Sequence, residues 1–501
     1  MLLFNSFKIS VMLNHKNKTT AFFLSAILLL SAQSCKKSFL DVPPQAQQSS
    51  ETFFTTAADA TAAVNSVYAN LRSFNQVAFG AIAIESIPSD ETEKGSSPSD
   101  GTFLNLYDNF TYTSTEGQVF GFWSGLYQEV NLCNQVLDNV PAINMDEALK
   151  ARYIGEAKFV RAYTYFRLVR AYGGVPLRLH VPANQTEYNI ARSSAAEVYA
   201  AVEQDLTDAA SVLPQSYSSA DIGRITKGAA LALHAKVAMY QKKWADVLTY
   251  TNQVMALGYS LFPDFEKMFR IANENCSESV FEIQCKSFPS ISGASTSQYS
   301  QVQGVRAQTG GGWGFNVPTA ALVSAFETGD PRMDATIIFR GETTPEGDKV
   351  DPVGDNPRYN QKSYVPFTVP FVQNEGEDQN IRVIRYAEVL LMNAEAANET
   401  GNTAAALSSL EMVRARARGG NTSILPKVTT TDQSTLRQAI WHERQVELAM
   451  EFDRFFDVVR QGRGTTVLGA KGFKAGKNEL MPIPQSEIDL SGGKLTQNPG
   501  Y

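Results

Sequence analysis

The sequence predicts a mainly α-helical fold in which pairs of helices carry long loops and a few short β-strands. Apolar residues recur at intervals of three and four through most of the chain, which is the spacing of helices that bury one face. Two Ala-rich segments indicate helical hairpins, whereas runs rich in β-branched and aromatic residues are few and short. The length of 501 residues allows a substantial core, in two closely packed subdomains or in one large helical domain.

The N-terminal segment predicts export. Residues 21–32 are mostly apolar, follow a leader with three lysines and precede Cys35. A dozen apolar residues are too few to span a hydrocarbon core about 30 Å thick, so a cleaved signal peptide at 1–34 is favoured over a membrane anchor. A cysteine directly after the cleavage region is the acylation site of a lipoprotein. We therefore predict lipidation of Cys35; the alternative is a secreted protein with a free Cys35.

Charge and composition exclude several classes of function. The net charge is −7, and no block of Lys or Arg longer than a pair follows the leader, so nucleic acid is not an expected partner. The four histidines are scattered without a second ligand at metal-binding spacing, and we predict neither a metal site nor a cofactor. Beyond Cys35 the cysteines are expected to be free thiols, with a bridge between Cys276 and Cys285 as the alternative.

The first half of the chain predicts a tether and then a series of helices. Residues 35–55 are polar and interrupted by prolines, which is typical of an extended linker. The segment that begins at Ala57 has apolar residues at every fourth position, as an amphipathic helix does. Further helices are predicted at 120–140, 145–172 and 194–213. The second of these three has the most apolar residues and stops at two glycines, so we expect it to be central and buried.

An internal repeat follows. Segments 227–257 and 386–418 align without gaps, in a register that brings Ala235 onto Ala394. Each segment has two helical stretches separated by a short polar break, and alanine allows two helices to approach closely. The repeat resembles tetratricopeptide helix pairs. The alternative is two ordinary Ala-rich hairpins.

Two long segments predict loops. Residues 87–116 contain prolines, glycines and four aromatic residues, and structureless segments of this length are usually binding loops. Residues 258–378 form a loop-rich excursion with two expected short strands, SVFEIQ and IIFR. The GGGWG run in this excursion lacks the Lys-Ser/Thr of a phosphate-binding loop, so a nucleotide site is not predicted.

The C-terminal segment LRQAIWHERQVELAMEFDRFFDVVRQG predicts a further helix with alternating charges on one stripe, at Arg444, Glu447, Glu451 and Arg454. Paired carboxylates suggest a glycosidase. Neighbouring arginines, however, lower the pKa of a glutamate, which favours ion pairs and not a general acid. We therefore predict a structural network and no catalytic residues.

Several longer motifs resemble the SusD/RagB family of Bacteroidetes outer-membrane lipoproteins: KKSFLDVPP after Cys35, AKFVRAYTYFRLVRAYGGVPL, RYAEVLLMNAEAANETGN and the terminal LMPIPQSEIDLSGGKLTQNPGY. The resemblance implies an N-terminal helical region at 56–257 and a C-terminal region at 258–501, with a tetratricopeptide-like frame and a nutrient site on loops. It also implies a partner, a SusC-like TonB-dependent transporter, on which the lipoprotein sits as a lid. Two departures, Phe452 in place of glycine and Gln461 in place of an aromatic, are expected to affect packing more than function.

The resemblance makes the aromatic loop residues candidates for glycan binding. Sugars stack their apolar faces on aromatic rings while their hydroxyls meet amide and charged groups. The predicted ligand-binding residues are Trp313, Tyr299, Phe315 and Arg306 in the excursion, and Tyr107, Asn109 and Tyr112 in the first loop. For each aromatic residue, the alternative is local packing of a long loop.

Together these observations predict a lipid-anchored, non-catalytic protein of the outer membrane, facing the cell surface, that binds a glycan or other nutrient and delivers it to a transporter. Two alternatives remain. One is a surface glycoside hydrolase on the same frame, and the other is a purely structural lid of the transporter complex.

Overall fold

Nine long helices form the frame of the part of the chain that the computed structural model describes, namely residues 53–286, 297–306, 311–369, 376 and 378–501. They are α1 (Ala57–Leu71), α2 (Gly117–Asn139), α3 (Glu147–Tyr172), α4 (Ala195–Val212), α5 (Lys227–Tyr240), α6 (Trp244–Met255), α7 (Tyr386–Glu399), α8 (Thr403–Arg418) and α9 (Gln433–Glu447). The predicted signal peptide, Cys35 and most of the tether lie outside the described residues.

Short helical segments connect the long helices. The α-helical ones are Phe74–Val77, Phe79–Ala81, Asn105–Asp108, Gln185–Tyr188, Tyr299–Gln303, Ala320–Ala325, Arg332–Thr336, Arg454–Arg460, Gly464–Leu468 and Gln485–Leu490. A π-helical segment follows at Ile82–Ser86, and 3-10 turns lie at Thr102–Leu104, Val140–Ala142, Lys267–Phe269, Ile271–Asn273 and Gly469–Lys471. Several of these segments position residues of the site described below.

Several helix starts coincide with capping signals in the sequence. Thr56 and Asp59 form a capping box at the start of α1, and Ser194 and Glu197 form one at the start of α4. At α5 the side chain of Thr226 accepts the backbone N–H of the third residue of the helix. The helices predicted before residue 214 are confirmed, and their ends differ from the predicted ones by at most three residues.

Consecutive helices pack side by side from α2 to α8, and α9 packs against α7. The long helix α3 lies against both α2 and α4 and is buried over most of its length, as its composition predicts. Gly155 lets α3 approach the end of α4, since a Cβ there would lie 2.6 Å from the side chain of Val212. Residues 56–501 form one compact unit; a division of this unit at residue 257 stays a prediction.

The internal repeat is present as two helical hairpins, α5–α6 and α7–α8. The starts of all four helices, at Lys227, Trp244, Tyr386 and Thr403, fall at equivalent positions of the repeat. Ala235 and Ala394, which are also equivalent, are both fully buried. The hairpins pack through α6 and α7, where the amide of Asn393 donates to the hydroxyl of Thr251 at 2.9 Å. The predicted scaffold of helical pairs with long loops and short strands is confirmed.

The described residues contain three two-stranded antiparallel sheets. Their strands are β1 (Thr92–Gly95), β2 (Ser279–Ile283), β3 (Phe315–Pro318), β4 (Ile337–Phe339), β5 (Arg358–Asn360) and β6 (Ile381–Arg385), paired β1–β3, β2–β6 and β4–β5. The predicted strands SVFEIQ and IIFR are confirmed as β2 and β4. In the first sheet Gly95 lies opposite Phe315 and Glu93 lies opposite Val317, which joins the first loop to the excursion.

One expectation about the C-terminal segment is wrong. Its predicted helix is not continuous, because α9 ends at Glu447 and the next helix begins at Arg454. Met450 and Phe452, between the two, have φ angles of 67° and 66°, which no α-helix accommodates. The chain therefore turns where apolar periodicity alone indicates a straight helix.

The cysteines within the described residues are free thiols. Cys133 and Cys285 are buried, and Cys276 is partly exposed. The expectation of free thiols is confirmed, and the alternative bridge between Cys276 and Cys285 is wrong.

Candidate functional site

An open groove of about 480 Å³ lies where the first loop meets the excursion. The pairing of β1 with β3 brings these segments together although they are remote from each other in the chain. The lining residues are Phe79, Asp100, Arg306, Gly312, Trp313 and Phe315. We call this site the loop groove. It combines aromatic rings with one carboxylate and one guanidinium.

Phe79 is the centre of the aromatic wall. Its ring contacts Phe315, Phe103 and Trp313, with centroid distances of 5.0, 5.6 and 5.9 Å. Phe74 extends the wall, at 5.6 Å from Phe79, and 37% of its surface is exposed. Most of these contacts are edge-to-face, a favourable geometry that holds each ring in a fixed orientation. The wall therefore presents a rigid apolar surface.

Asp100 and Arg306 supply the polar side of the groove. The guanidinium of Arg306 donates to the carboxylate of Asp100 at 2.7 Å and to the backbone carbonyl of Trp313 at 3.1 Å. Partial burial works to raise the pKa of Asp100, but hydrogen bonds from Arg306 and Ser96 outweigh it and lower the pKa. About a third of the Arg306 side chain and 43% of the Asp100 side chain stay exposed, so both can meet a ligand.

Glycine allows the two segments to approach. Gly101 has a φ of 54°, and a Cβ there would lie 2.5 Å from the ring of Phe315. Gly95 has a φ of 69°, and its Cβ would lie 2.5 Å from the backbone oxygen of Gly314. A side chain at either position would push the aromatic wall away from the first loop.

The structure brings together only part of the predicted ligand set. Trp313 and Arg306 line the loop groove and are partly exposed. Phe315 also lines it, but it is only 2% exposed and supports Phe79 from behind. Tyr299 is buried elsewhere, with its ring 5.7 Å from that of Phe452. Its burial corrects the expectation of an exposed stacking ring.

The predicted residues of the first loop lie outside the loop groove. Tyr107 is fully buried and stacks on Tyr112 at 5.2 Å, and Tyr112 in turn stacks on the C-terminal Tyr501. Burial raises the pKa of both Tyr107 and Tyr112. Asn109 is exposed, but its side-chain oxygen accepts the backbone N–H of Thr111 at 3.2 Å. Tyr107 and Tyr112 therefore serve local packing and not ligand stacking, because the loop buries its own aromatic side chains.

Sequence reasoning missed Phe79, Phe74 and Asp100. The two phenylalanines belong to short helices in which an apolar residue is expected to be core, and Asp100 lies in a Ser- and Gly-rich turn without a motif. Phe79 and Asp100 line the groove with Trp313 because β1 pairs with β3, and the polar residues of β1 give little sequence signal for that pairing.

The carboxylates of the predicted charge stripe lie in the interior. Glu447 has no exposed side-chain surface, and three guanidinium groups contact it: those of Arg332, Arg385 and Arg416. Burial alone would raise the pKa of Glu447, but these cations, Arg416 foremost, lower it to about 2. The pKa of Glu451 is lowered in the same way, with Arg385 as the largest opposing charge. Ionised carboxylates held by several cations serve ion pairing and not acid catalysis.

The described residues show neither a metal-binding cluster nor a membrane-spanning helix. Within those ranges, no cluster of three or more His, Cys, Asp or Glu side chains is arranged to hold a metal ion. Across the same part of the chain, none of the helices has the length and apolar character needed to cross a bilayer.

Comparison with known proteins places the chain in a family. One family model, described as the SusD family, matches residues 277–501, and another, described as starch-binding and associating with the outer membrane, matches residues 38–239. SusD-like protein P2 of Formosa agariphila is 30% identical over 502 aligned positions, which cover 95% of this chain and 98% of that protein. The chain belongs to the SusD family. The resemblance drawn from its sequence motifs is thereby confirmed.

Solved structures of SusD-like proteins share the fold. A laminarin-binding SusD-like protein matches with a TM-score of 0.78 and 29% identity, covering 89% of this chain and 100% of that one. Surface glycan-binding protein A from Bacteroides fluxus matches with a TM-score of 0.74 and 26% identity, covering 89% and 100%. The descriptions of the second family model and of these two structures name binding. They confirm the expectation of a binding protein and not an enzyme. The description of the family also supports association with the outer membrane.

Proposed function

We propose that this SusD-family protein binds a glycan in the loop groove at the cell surface and delivers it to a SusC-like TonB-dependent transporter. The observation that carries the proposal is the open groove in which the Trp313 and Phe79 rings adjoin the Asp100–Arg306 pair. Pyranose rings have apolar C–H faces that stack on such rings, and their hydroxyls both donate to a carboxylate and accept from a guanidinium. The groove has the shallow, exposed form that suits a polymer.

Relatives suggest the class of glycan to try first. A relative at 29% identity is described as laminarin-binding, so laminarin, a β-glucan, is the first candidate polymer. Asp100 and Arg306 form a compensated pair and leave no excess charge in the groove, which supports a neutral sugar.

A lipid anchor and a transporter complete the proposal. The predicted signal peptide, 1–34, ends directly before Cys35, and the polar linker 36–52 separates this cysteine from the first described residue, Phe53. A polar linker of that length lets a folded protein stand off the membrane while an acyl chain holds it there. At the outer face such a protein captures glycan that the transporter then imports.

The binding proposal is tested by calorimetry of the mature chain with laminarihexaose and by its retention in laminarin-containing native gels. Trp313→Ala removes one stacking surface, and we expect about tenfold weaker binding. Tyr188→Ala removes an aromatic ring that is 47% exposed but does not line the groove, and it should bind as wild type does. Equal affinities of Trp313→Ala and Tyr188→Ala for laminarihexaose would show that the loop groove is not the glycan-binding site.

The anchor and the transporter are tested separately on the full-length chain in its native host. Metabolic labelling with palmitate should mark the wild type and not Cys35→Ser, and only the wild type should co-purify with an outer-membrane barrel. An unlabelled wild-type chain in the soluble fraction would contradict the lipid anchor. It would not contradict glycan binding in the loop groove. Incubation with laminarin should release no sugar product, in contrast with the hydrolase alternative.

A further inference from the structure

A second cleft, of about 280 Å³, lies at one end of the helical frame. It is bounded by the α5–α6 turn, the end of α7, one face of α9 and the C-terminal end of helix Arg454–Arg460. Trp244 and Trp441 line it, and neither is fully buried. None of its lining residues belongs to the loop groove. We call it the tryptophan cleft.

Three of the four tryptophans line one of the two cavities. Of the four, Trp123 is buried in α2 at 2% exposure and Trp313 lines the loop groove. The remaining two both line the tryptophan cleft. Partly exposed indoles gathered in one concave site are uncommon on a surface without a ligand, because each leaves apolar area in water.

The indole of Trp441 is held in one orientation. Its Nε1 donates to the carboxylate of Glu395 at 2.9 Å, and the guanidinium of Arg463 lies 5.6 Å from its ring centroid. A ring fixed before the ligand arrives loses little entropy on binding. The Trp441 side of the tryptophan cleft is therefore preorganised.

The acidic groups of the cleft are already satisfied. The guanidinium of Arg460 donates a hydrogen bond to each carboxylate oxygen of Glu395, at 2.7 and 2.8 Å. Arg437 likewise holds both oxygens of Glu399, one of them at 2.7 Å. These bidentate pairs leave no free carboxylate for a cationic ligand.

The groups left uncommitted are donors. The side-chain oxygen of Gln461 accepts from Arg463 at 3.1 Å, but its amide nitrogen is buried without a hydrogen-bond partner among the described residues. A buried donor without an acceptor is costly and invites a ligand oxygen. Lys242, exposed at the rim, makes no ion pair with a described residue. A ligand with oxygen acceptors and a flat apolar face satisfies both features.

From this arrangement we propose that the tryptophan cleft is a second carbohydrate site, which binds one pyranose ring against Trp244 and Trp441 with a hydroxyl oxygen on the Gln461 amide. A volume near the lower end of ligand pockets, about 300 Å³, has room for one ring and not for a long oligosaccharide. The inference rests on the proposed function for the class of ligand, a laminarin-type glucan, but not on the loop groove. A polymer that reaches both sites is retained more strongly than a short oligosaccharide.

Tryptophan fluorescence separates the two sites. In Trp313→Phe the partly exposed indoles are those of the cleft, so we expect laminarihexaose still to change the emission. Trp244→Phe in that background should reduce the change, and Trp441→Phe added to it should abolish most of the remainder. Calorimetry should give two sugars bound per wild-type chain, and Trp313→Ala should weaken only one of the two. No change of emission in Trp313→Phe, with binding intact in the wild type, overturns the second site alone. A wild type without affinity for laminarihexaose and laminarin overturns both proposals.

An apolar substitution of Gln461 tests the donor while leaving both indoles in place. Gln461→Leu keeps the approximate side-chain volume, and in the Trp313→Phe background we expect about tenfold weaker binding of laminarihexaose. Gln253→Leu, on an exposed position of α6 outside the cleft, should have no effect. Thermal melts of all variants identify any loss of fold. If the Trp244→Phe variant binds laminarin normally but no longer co-purifies with the barrel, the cleft is a protein contact and the carbohydrate assignment is overturned.

Discussion

Lys242 and Gly401 occupy equivalent positions in the turns of the two helical hairpins, and both have left-handed backbone, with φ angles of 58° and 80°. The hairpins thus share a turn geometry as well as helix boundaries. Glycine adopts this conformation freely, whereas a residue with a Cβ is strained by about 1–2 kcal/mol.

Substitutions in these turns are expected to have opposite effects. Gly401→Ala should lower the free energy of unfolding by about 1 kcal/mol, and Lys242→Gly should raise it by a smaller amount because glycine is more flexible when unfolded. Urea unfolding followed by circular dichroism measures both. Gly117→Ala, at an open position without positive φ, is the control and should not destabilise. Equal effects of Ala at positions 117 and 401 would contradict the shared geometry.

A second strained position predicts a difference between two small residues. Phe452 has a φ of 66°, and its ring contacts Tyr299. Phe452→Ala and Phe452→Gly lose the same ring, but only glycine accepts the backbone, so we expect Phe452→Gly to be the more stable by about 1 kcal/mol. Chemical unfolding of the two variants provides the measurement. A more stable alanine variant would show that the backbone relaxes when the ring is removed.

The buried ion pairs predict an acid-sensitive stability. The folded-state pKa of Glu447 is about 2, below its ordinary value of 4.5, so its stabilising contribution is complete above about pH 4.5 and is lost as the pH falls towards 2. Glu447→Gln should lower the free energy of unfolding at pH 7 by about 3 kcal/mol, since three arginines lose a counter-charge. Its stability should also vary less between pH 5 and 2 than that of the wild type.

The matched control for this prediction is an ion pair near the surface. Glu411 pairs with Arg418 at 2.9 Å, and 24% of the Glu411 side chain is exposed. Glu411→Gln should cost less than about 1 kcal/mol at pH 7. Similar costs for both variants would show that the interior network contributes no more than a solvated pair.

The loop groove is expected to depend on a residue that does not face the ligand. Gly101→Ala places a methyl group against Phe315 in a backbone conformation that disfavours it. We expect at least tenfold weaker laminarihexaose binding, with little loss of helix, because the shift of Phe315 displaces Phe79. Calorimetry with circular dichroism separates these effects, and Gly117→Ala again serves as the control. Unchanged affinity would show that Phe315 does not position the wall.

Glycan binding in the loop groove should not depend on pH near neutrality. The pKa of Asp100 is lowered from its ordinary value of 3.8, so its carboxylate stays ionised and paired with Arg306 from pH 5 to 8. Calorimetry of Trp244→Phe, which leaves the loop groove as the proposed site, should give a constant affinity over this range. A decline in affinity above pH 5 would implicate another titrating group.

The helical frame follows from local patterns, and the loop groove does not. Ser194 and Thr226 are the N-caps of α4 and α5, and each directly precedes an apolar helical pattern. The sequence alone therefore predicts where these helices begin. Strand β1 consists of polar residues and a glycine, which carry little strand propensity, and its partner is remote. Trp313 and Arg306 could be found because glycines and aromatics alternate around them.

Burial explains the other misses. Tyr107 and Tyr112 lie in a loop that composition indicates to be exposed, but the loop covers its own rings and the C-terminal Tyr501 closes over them. The break after Glu447 has no local sequence signal, because tertiary packing sets the left-handed backbone of Met450 and Phe452 and neither residue type is typical of a turn.

The register that sets Gly95 against Phe315 makes the loop groove a late product of folding. Hairpins such as α5–α6 join near neighbours, whereas β1 and β3 close a loop that contains all of α2 to α6, which is a slow step. During refolding, ellipticity at 222 nm should therefore recover before affinity for laminarin does. A refolded sample with full helix content can therefore still lack a formed loop groove. Retention by laminarin, and not ellipticity, is the criterion of correct refolding.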